Sequence, residues 1–317
     1  MPDAYWTKRD IWETVAKHRN AGTYVATIIY DLIPLTHPQF VGKKRTIKFR
    51  GYLEQVIRHS DIIIAISKTV AEDVKRYIQE NMANEPGICT RVESFCLGAE
   101  IKQPTGDVRP LVEAIFAPED SSSPYLMVAS FDPRKNHEQA LDAFEMLWRD
   151  DSKVKLCFAG RAGASCGELL DRIHNHPELN SKLFVFHDMN DAELQVAYQN
   201  CSGVLLPSMV EGFGLPIVES LWHGKKTFAS DTPIHREVGG DQCEYFELHS
   251  PEALARAIHA WEESRCRPET QNCSRMDTGS HGLMQPFTWE QSASQLIEVV
   301  LQNYYNHHST AVAQRAA

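Results

Sequence analysis

From residue 125 onward the chain alternates short apolar runs with longer amphipathic stretches, and few folds accept that rhythm. Tyr125–Ala129, Lys155–Ala159, Leu183–Phe186, Val204–Leu206 and Lys226–Ala229 read as buried strands. Helices are expected from Asn136, over about 168–175, from Asn190 through Gln199 and from Pro216 to Gly224. Ser250-Pro251 opens another through Glu262. Asn136 with Gln139 and Asn190 with Glu193 have the spacing of capping boxes. Strands that alternate with helices in this way imply a parallel, doubly wound α/β sheet.

The first half repeats the rhythm less regularly. After a polar, helical start over residues 1–20, Tyr24–Tyr30 reads as a strand, ended by Asp31-Leu-Ile-Pro34-Leu-Thr-His37-Pro38. An amphipathic helix is expected at 43–59, a strand at Asp61–Ile66, and a helix capped by Ser67 running to about Gln79. A third strand near Val92–Phe95 leads into Cys96–Glu100. Residues 101–123, with three prolines, a glycine and three serines, read as a linker. The chain divides accordingly into a first domain at 1–105, a linker at 106–123 and a second domain at 124–288. A last helix capped by Thr288 and Gln291 spans 289–303, and a tail at 304–317 is expected to be disordered from His307. Residues 263–286 are polar and irregular and read as a surface loop.

With 317 residues there is room for about two domains. A content of 43% hydrophobic and 23% charged residues excludes wholesale disorder. A net charge of −10 excludes a general nucleic-acid binder, which needs a basic excess to neutralise phosphates. The local basic cluster Lys43, Lys44, Arg45, Lys48 and Arg50 reads first as a solvated helix face; contact with an anionic lipid surface or acceptor is the other reading. The eight cysteines form no CxxC pair or regular framework, and Cys157 and Cys201 read as buried thiols. That usage fits a reducing cytoplasm. No stretch approaches the roughly 20 apolar residues of a membrane span, so any membrane association is expected to be peripheral.

The chemistry centres on Pro207–Gly224. After the strand at Val204–Leu206, Gly212 and Gly214 permit a tight turn and close approach to a ligand. Pro216 suits the start of a short helix and Gly224 its end. Strand, glycine loop and helix N-terminus together gather unpaired N–H groups and a positive dipole end, where an anion can sit. Glu211 stands before the helix and Glu219 about one turn inside it. Such a pair can reach two parts of a phosphate-bearing ligand with hydroxyls at both ends, such as a nucleotide sugar.

This block, Pro-Ser-x-x-Glu-Gly-Phe-Gly-Leu-Pro-x-x-Glu followed by Gly224, Ala229-Ser230-Asp231 and Glu237-Val238-Gly239-Gly240, resembles the signature of family 4 retaining glycosyltransferases. The resemblance extends over about residues 20 to 303 and implies a GT-B fold, with two Rossmann-like domains built on parallel sheets. It implies that the first domain faces the acceptor, that the second binds the nucleotide sugar, and that the last helix crosses back to brace the first. By the family pattern Glu211 contacts the donor sugar, Glu219 the ribose, and Gly212, Phe213, Gly214 and Leu215 form the donor loop. Lys135, in Phe131-Asp-Pro-Arg134-Lys135-Asn136, matches the lysine that holds the donor pyrophosphate. Ser130 stands where many members carry an arginine, leaving Arg134 or Arg161 as substitutes. Gly160-Arg161-Ala162-Gly163 resembles a Gly-Lys/Arg-x-Gly turn, and is equally readable as a plain strand-to-helix loop. His187 follows the strand where the base is held.

In the first domain, Tyr30-Asp31-Leu-Ile-Pro34-Leu resembles the His-Asp-x-x-Pro-Leu loop of bacterial lipopolysaccharide and capsule mannosyltransferases, with Tyr30 in the histidine position. Asp31 is then either a sugar contact or only a turn-maker. Leu97-Gly98-Ala99-Glu100 departs from the family's Leu-Gly-x-Asp by one methylene. The first domain is expected to be N-terminally short and incomplete. That implies a misplaced start, a shortened chain, or a half supplied by another chain, and an open sheet edge favours an oligomer.

The expectation is a retaining hexosyltransferase that needs no cofactor or metal, since no Asp-x-Asp motif is present. It would move mannose from GDP-mannose to a glycan or lipid-linked acceptor in surface polysaccharide synthesis. The alternatives are a sugar-nucleotide epimerase or phosphorylase on the same fold, and a non-catalytic nucleotide-sugar-binding remnant or partner subunit.

Overall fold

The structure is a computed structural model that describes residues 11–89, 91–100, 104, 106–117, 123–163, 166–265 and 287–316, with side chains described as far as residue 309. Its contacts divide the chain into two compact units. One comprises Met1–Gly98, Glu211–Phe213 and Phe287–Ala317, the other Ala99–Val210 and Gly214–Pro286.

The first unit begins with α1 (Ile11–Asn20), β1 (Ala26–Ile29), the single turn α2 (Ile33–Thr36), α3 (Lys43–His59), β2 (Ile62–Ala65), α4 (Lys68–Asn81) and β3 (Val92–Ser94). Its strands form a parallel sheet in the order β1-β2-β3. Every residue of the central strand β2 is buried, which is why Ile62-Ile-Ile-Ala65 is an unbroken apolar run rather than an alternating one. Leu53, Val56 and Ile57 of α3 and Val70, Ala71 and Val74 of α4 pack on the sheet. Ser67 caps α4 as expected, its hydroxyl accepting from Val70 N at 3.1 Å.

The second unit comprises α5 (Pro110–Ile115), β4 (Tyr125–Val128), α6 (His137–Arg149), β5 (Leu156–Ala159), α7 (Gly167–His174), β6 (Leu183–Phe186), α8 (Asp191–Asn200), β7 (Gly203–Leu206), α9 (Leu215–Trp222), β8 (Thr227–Ser230), α10 (Pro233–Gly239), β9 (Cys243–Phe246) and α11 (Pro251–Arg265). Its six strands are all parallel, in the order β6-β5-β4-β7-β8-β9. Counted from the unit's own first strand this is 3-2-1-4-5-6, the doubly wound order, and the sheet reverses direction of growth between β4 and β7. Both faces are covered. Tyr125 and Met127 of β4 point into one core with Phe144, Leu147 and Ile258, while Leu126 points into another with Cys157, Tyr198 and Val204.

Neither α10 nor β9 is expected from the sequence, and three further expectations change. Residues 106–123, read as a linker, include α5, whose Val112, Ile115 and following Phe116 are buried in the core with Leu126 and Cys157. The 3-4 spacing of those apolar residues makes one helical face, which the surrounding prolines and glycine disguise. Asn136 stands at the N-cap position of α6, but its side chain does not cap the helix. It adopts the left-handed conformation (φ 60°, ψ 44°), and its amide donates to Gln139 Oε1 at 2.6 Å and to Pro207 O at 3.2 Å. Asparagine tolerates that conformation better than most residues. Asn190, by contrast, makes the reciprocal box with Glu193.

The third change is at the C-terminus. Helix α12 (Trp289–Ala316) runs on past Asn303 through the tail expected to be disordered, in keeping with its alanine-rich end. Thr288 and Gln291 cap it reciprocally. It packs within the first unit: Ser292 Oγ donates to Cys96 O at 2.6 Å, Gln295 Oε1 accepts from Cys96 N at 2.8 Å, and Asn303 O accepts from Arg91 Nη1 at 3.4 Å. Helix α11 takes residues 263–265 from the expected surface loop; residues 266–286 of that loop, like 1–10 of the helical start, lie outside the described residues. Among the described residues no helix is long and apolar enough to cross a membrane, and Cys89, Cys96, Cys157, Cys166, Cys201 and Cys243 are free thiols.

Candidate functional site

The carboxyl ends of β4 and β7 flank the point where the sheet of the second unit reverses, which is where open α/β sheets leave a crevice. The chain leaving β7 is anchored from β8, whose Ser230 Oγ donates to Ser208 O at 2.6 Å. Gly214 sits at φ 95°, where a side chain would be strained, and hands the chain to α9, with Leu215 first and Pro216 second in the helix. Gly224 at φ 63° ends it, and Lys225 N returns to Ser220 O at 3.0 Å. The strand, glycine turn and short helix expected from the sequence are thus all present.

Glu219 is the fifth residue of α9 and is half-buried. Its Oε2 accepts a 2.6 Å hydrogen bond from the hydroxyl of Tyr198, on α8. Burial raises the Glu219 carboxyl above the usual carboxylate range, and the Tyr198 hydrogen bond pulls it the other way. Tyr198 was not among the residues singled out from the sequence. An isolated tyrosine on a mostly apolar helix face carries no signal that separates it from ordinary core.

After β4, the chain forms a tight turn, Pro133–Lys135, in which Asp132 Oδ1 accepts from Arg134 N at 3.1 Å. This turn is clipped to the chain leaving β7 by Met209 N donating to Arg134 O (2.8 Å), Arg134 Nη1 to Val210 O (3.2 Å) and Asn136 Nδ2 to Pro207 O (3.2 Å). Lys135 is therefore held, half-buried, on a turn bonded to residues 207–210. The Arg134 guanidinium is engaged as a strut within that clip. Ser130 is exposed just before the turn.

After β5, Gly160–Gly163 runs alongside the same turn. Phe131 N donates to Arg161 O at 2.9 Å, and Phe131 pairs with Ala162 as an isolated bridge. A Cβ on Gly160 would collide with Ala129 O, and one on Gly163 with Phe131 O. Close backbone approach is the physical reason for both glycines. Arg161 projects from this segment with an exposed side chain. After β6, His187 Nδ1 lies 3.1 Å from Gly160 O, and its ring is 5.2 Å from that of Phe131. Ser130, Arg134, Lys135, Gly160, Arg161, His187, Gly214 and Leu215 thus gather along the carboxyl edge of one sheet, with Glu219 on the helix that follows.

Asp31, Glu211, Gly212 and Phe213 belong by contact to the first unit. There Asp31 Oδ1 accepts from Ile33 N at 2.9 Å, so it does make the turn that opens α2. Tyr30 is about half exposed, at 49%. Ser67 Oγ donates to Gly212 O at 2.9 Å, and a Cβ on Gly212 would stand 2.5 Å from Tyr30 O. Phe213 is buried.

Comparison with known proteins bears on what this arrangement serves. A family model described as glycosyl transferases group 1 matches residues 113–277. The serotype-specific mannosyltransferase WbdA of Escherichia coli is 30% identical over 286 residues, which is 88% of this chain and 34% of WbdA. The O-antigen chain mannosyltransferase RfbU of Salmonella typhimurium is 20% identical over 210 residues, 66% of this chain and 53% of RfbU. The chain thus spans about a third of the length of WbdA. Among solved structures, Anabaena HepE in complex with UDP and glucose superposes with a TM-score of 0.63 at 15% identity, over 91% of this chain and 74% of HepE. Sucrose-phosphate synthase from Thermosynechococcus elongatus gives 0.60 at 16%, over 93% and 72%. At these identities the likeness is one of fold, α/β of the GT-B kind.

Proposed function

The chain belongs to the group 1 glycosyl transferases, and from that premise we propose that it moves mannose from GDP-mannose onto a glycan or lipid-linked acceptor in surface polysaccharide synthesis. The names of WbdA and RfbU support mannose and the acceptor class. The observation that carries the reading is the clip between the Pro133–Lys135 turn and residues 207–210, on the two strands that flank the reversal of the sheet. It fixes the backbone of Lys135 beside the chain that leads into the α9 N-terminus, and an ammonium group together with helix N–H groups suits a diphosphate. With its leaving-group charge met by Lys135 and main-chain amides, the transfer needs no metal.

In this reading Glu219 accepts hydrogen bonds from the ribose. Glu211 orients the sugar and supports the positive charge that develops at its anomeric carbon. Asp31 contacts the sugar or acceptor. Gly212, Phe213, Gly214 and Leu215 shape the donor loop, and His187 marks the base end. Arg161, exposed beside Ser130, supplies the second cation that Ser130 lacks. Attack comes from the same face as departure, with retention and without a stable covalent intermediate. The enzyme works in the cytoplasm, in peripheral contact with the membrane through Lys43, Lys44, Arg45, Lys48 and Arg50, all exposed on α3.

The test is thermal denaturation with GDP-, UDP- and ADP-sugars, followed by transfer assays on the donor that stabilises. GDP-mannose at a hundred times its Kd should add about 2.7 kcal/mol. Lys135→Met should weaken its binding by 1.5–3 kcal/mol, roughly tenfold or more, as expected for a lost charge-assisted contact. Unchanged affinity in that variant, or no stabilisation by any sugar nucleotide, would refute the reading. Binding without transfer to any acceptor would instead favour a non-catalytic donor-binding subunit.

A further inference from the structure

Tyr198 stands on the last turn of α8 with its ring 1% exposed, packed in the core with Leu126, Cys157 and Val204. On its other side it stacks on His223 at 5.5 Å with ring planes 9° apart. A buried phenol hydroxyl requires a partner, and here the partner is Glu219 Oε2 at 2.6 Å, the length of a charge-assisted bond. Among the described residues no hydrogen bond reaches the second oxygen, Oε1. A glutamate side chain on a short helix otherwise has three torsions free to wander.

We infer that Tyr198 is the positioning residue of the donor site: by donating to Oε2 it holds the Glu219 carboxylate in one orientation, with Oε1 presented to the vicinal hydroxyls of a ribonucleotide. The inference rests on the reading of Glu219 as the ribose contact and extends it to the source of selectivity for ribose over deoxyribose. A carboxylate fixed in this way can accept from both hydroxyls at little entropic cost, whereas a mobile one cannot. The donor is permanent, because burial first and the Glu219 charge second push the Tyr198 hydroxyl well above its ordinary pKa. Among the described residues Tyr198 is also the one ionisable group acting on the Glu219 carboxyl; the pKa of His223, stacked on the tyrosine ring, is lowered by burial and by Lys225.

The experiment is calorimetric titration of the whole chain with GDP, UDP and ADP, then with the 2′-deoxy form of whichever binds tightest, across pH. Wild type should prefer the ribonucleotide by about tenfold or more. Tyr198→Phe should lose most of that preference by weakening the ribonucleotide alone. Its binding should also fail at a higher pH. Burial already raises Glu219, the tyrosine bond opposes that rise, and binding that needs the carboxylate is lost as pH falls through its pKa. In a Glu219→Gln background Tyr198→Phe should add nothing.

Equal losses for ribo and deoxy forms, undiminished in that background, would make Tyr198 mere packing and overturn the inference. Intact selectivity in Glu219→Gln, or no binding of any of the three nucleotides by wild type, would instead strike the underlying assignment of Glu219 and the inference with it. Should Tyr198→Phe not fold, Tyr198→3-fluorotyrosine keeps the ring and strengthens the donor. Its acid limit must then move to lower pH, and an unmoved limit overturns the inference.

Discussion

His137 opens α6 two residues after Lys135 and lies buried between aromatic rings, stacked on Phe131 at 4.4 Å and edge-on to Phe158 at 5.1 Å. Burial pushes its pKa from 6.5 down to about 3, and the charge of Lys135 acts in the same direction. Between those values the unfolded chain binds a proton that the folded chain does not. Stability therefore falls as pH drops below 6.5, by up to about 1.4 kcal/mol per pH unit. His137→Leu should lack that component. Urea unfolding at about pH 7.5 and about pH 5.5 would show a smaller acid-side loss in the variant, and identical losses would refute the assignment. At this scale the sequence singles out Lys135, Glu211 and Glu219 because each sits at a fixed offset from glycines and prolines that shape the local chain. Asn136 was misread as a cap because its backbone conformation is set by the clip to Pro207, 71 residues away. Tyr198 left no trace, since its partner lies 21 residues away on a different helix.

The short element Gly160–Gly163 shows what a strand-end loop must do besides meet a ligand. It runs so close to Ala129–Phe131 that a methyl group on Gly160 would displace backbone, not a yielding side chain. Gly160→Ala should cost roughly 2–4 kcal/mol in chemical denaturation, since the strand ends must separate to admit it. Gly167→Ala is the control: at the first residue of α7 its Cβ would meet nothing within 4 Å. That change should be neutral or stabilise by up to about 1 kcal/mol. Similar costs at both positions would mean the close approach is not what matters. Strands β4–β8 and helices α7–α9 of the second unit were readable to within a residue or two from apolar periodicity and capping residues, whereas α10 and β9 were not expected and α11 runs three residues further than its polar end suggests. Helix α5 was not, because its one apolar face is too short to stand out among prolines and serines. The end of α12 was missed because propensity in an exposed tail is a weak guide.

Across the whole chain, residues far apart in sequence complete one another. Helix α12 closes the first unit from the C-terminal end, pairing Gln295 and Ser292 with the backbone of Cys96 and setting Tyr304 edge-on to Tyr24 at 5.5 Å. Gly98 leaves room for its first turn, since a Cβ there would stand 2.5 Å from Trp289 N. A chain ending at residue 288 should lose hydrogen-exchange protection over 91–98, because the Cys96 amide and carbonyl lose their partners. Protection of β4 and β5 in the second unit should stay as it was. Retained protection at 91–98 would show that α12 is not what holds that segment. By itself the sequence determined the alternation of strand and helix, the burial of the strands on both faces, and the glycine turn with its two glutamates. Those follow from spacings within about 20 residues, which the pitch of helix and strand converts directly into faces and turns. Only the tertiary structure decided that β4 lies beside β7, that the Lys135 turn is bonded to the chain leaving β7, and that Tyr198 meets Glu219. These are neighbour relations between distant segments. They depend on how all the buried faces are satisfied together, which no local pattern encodes.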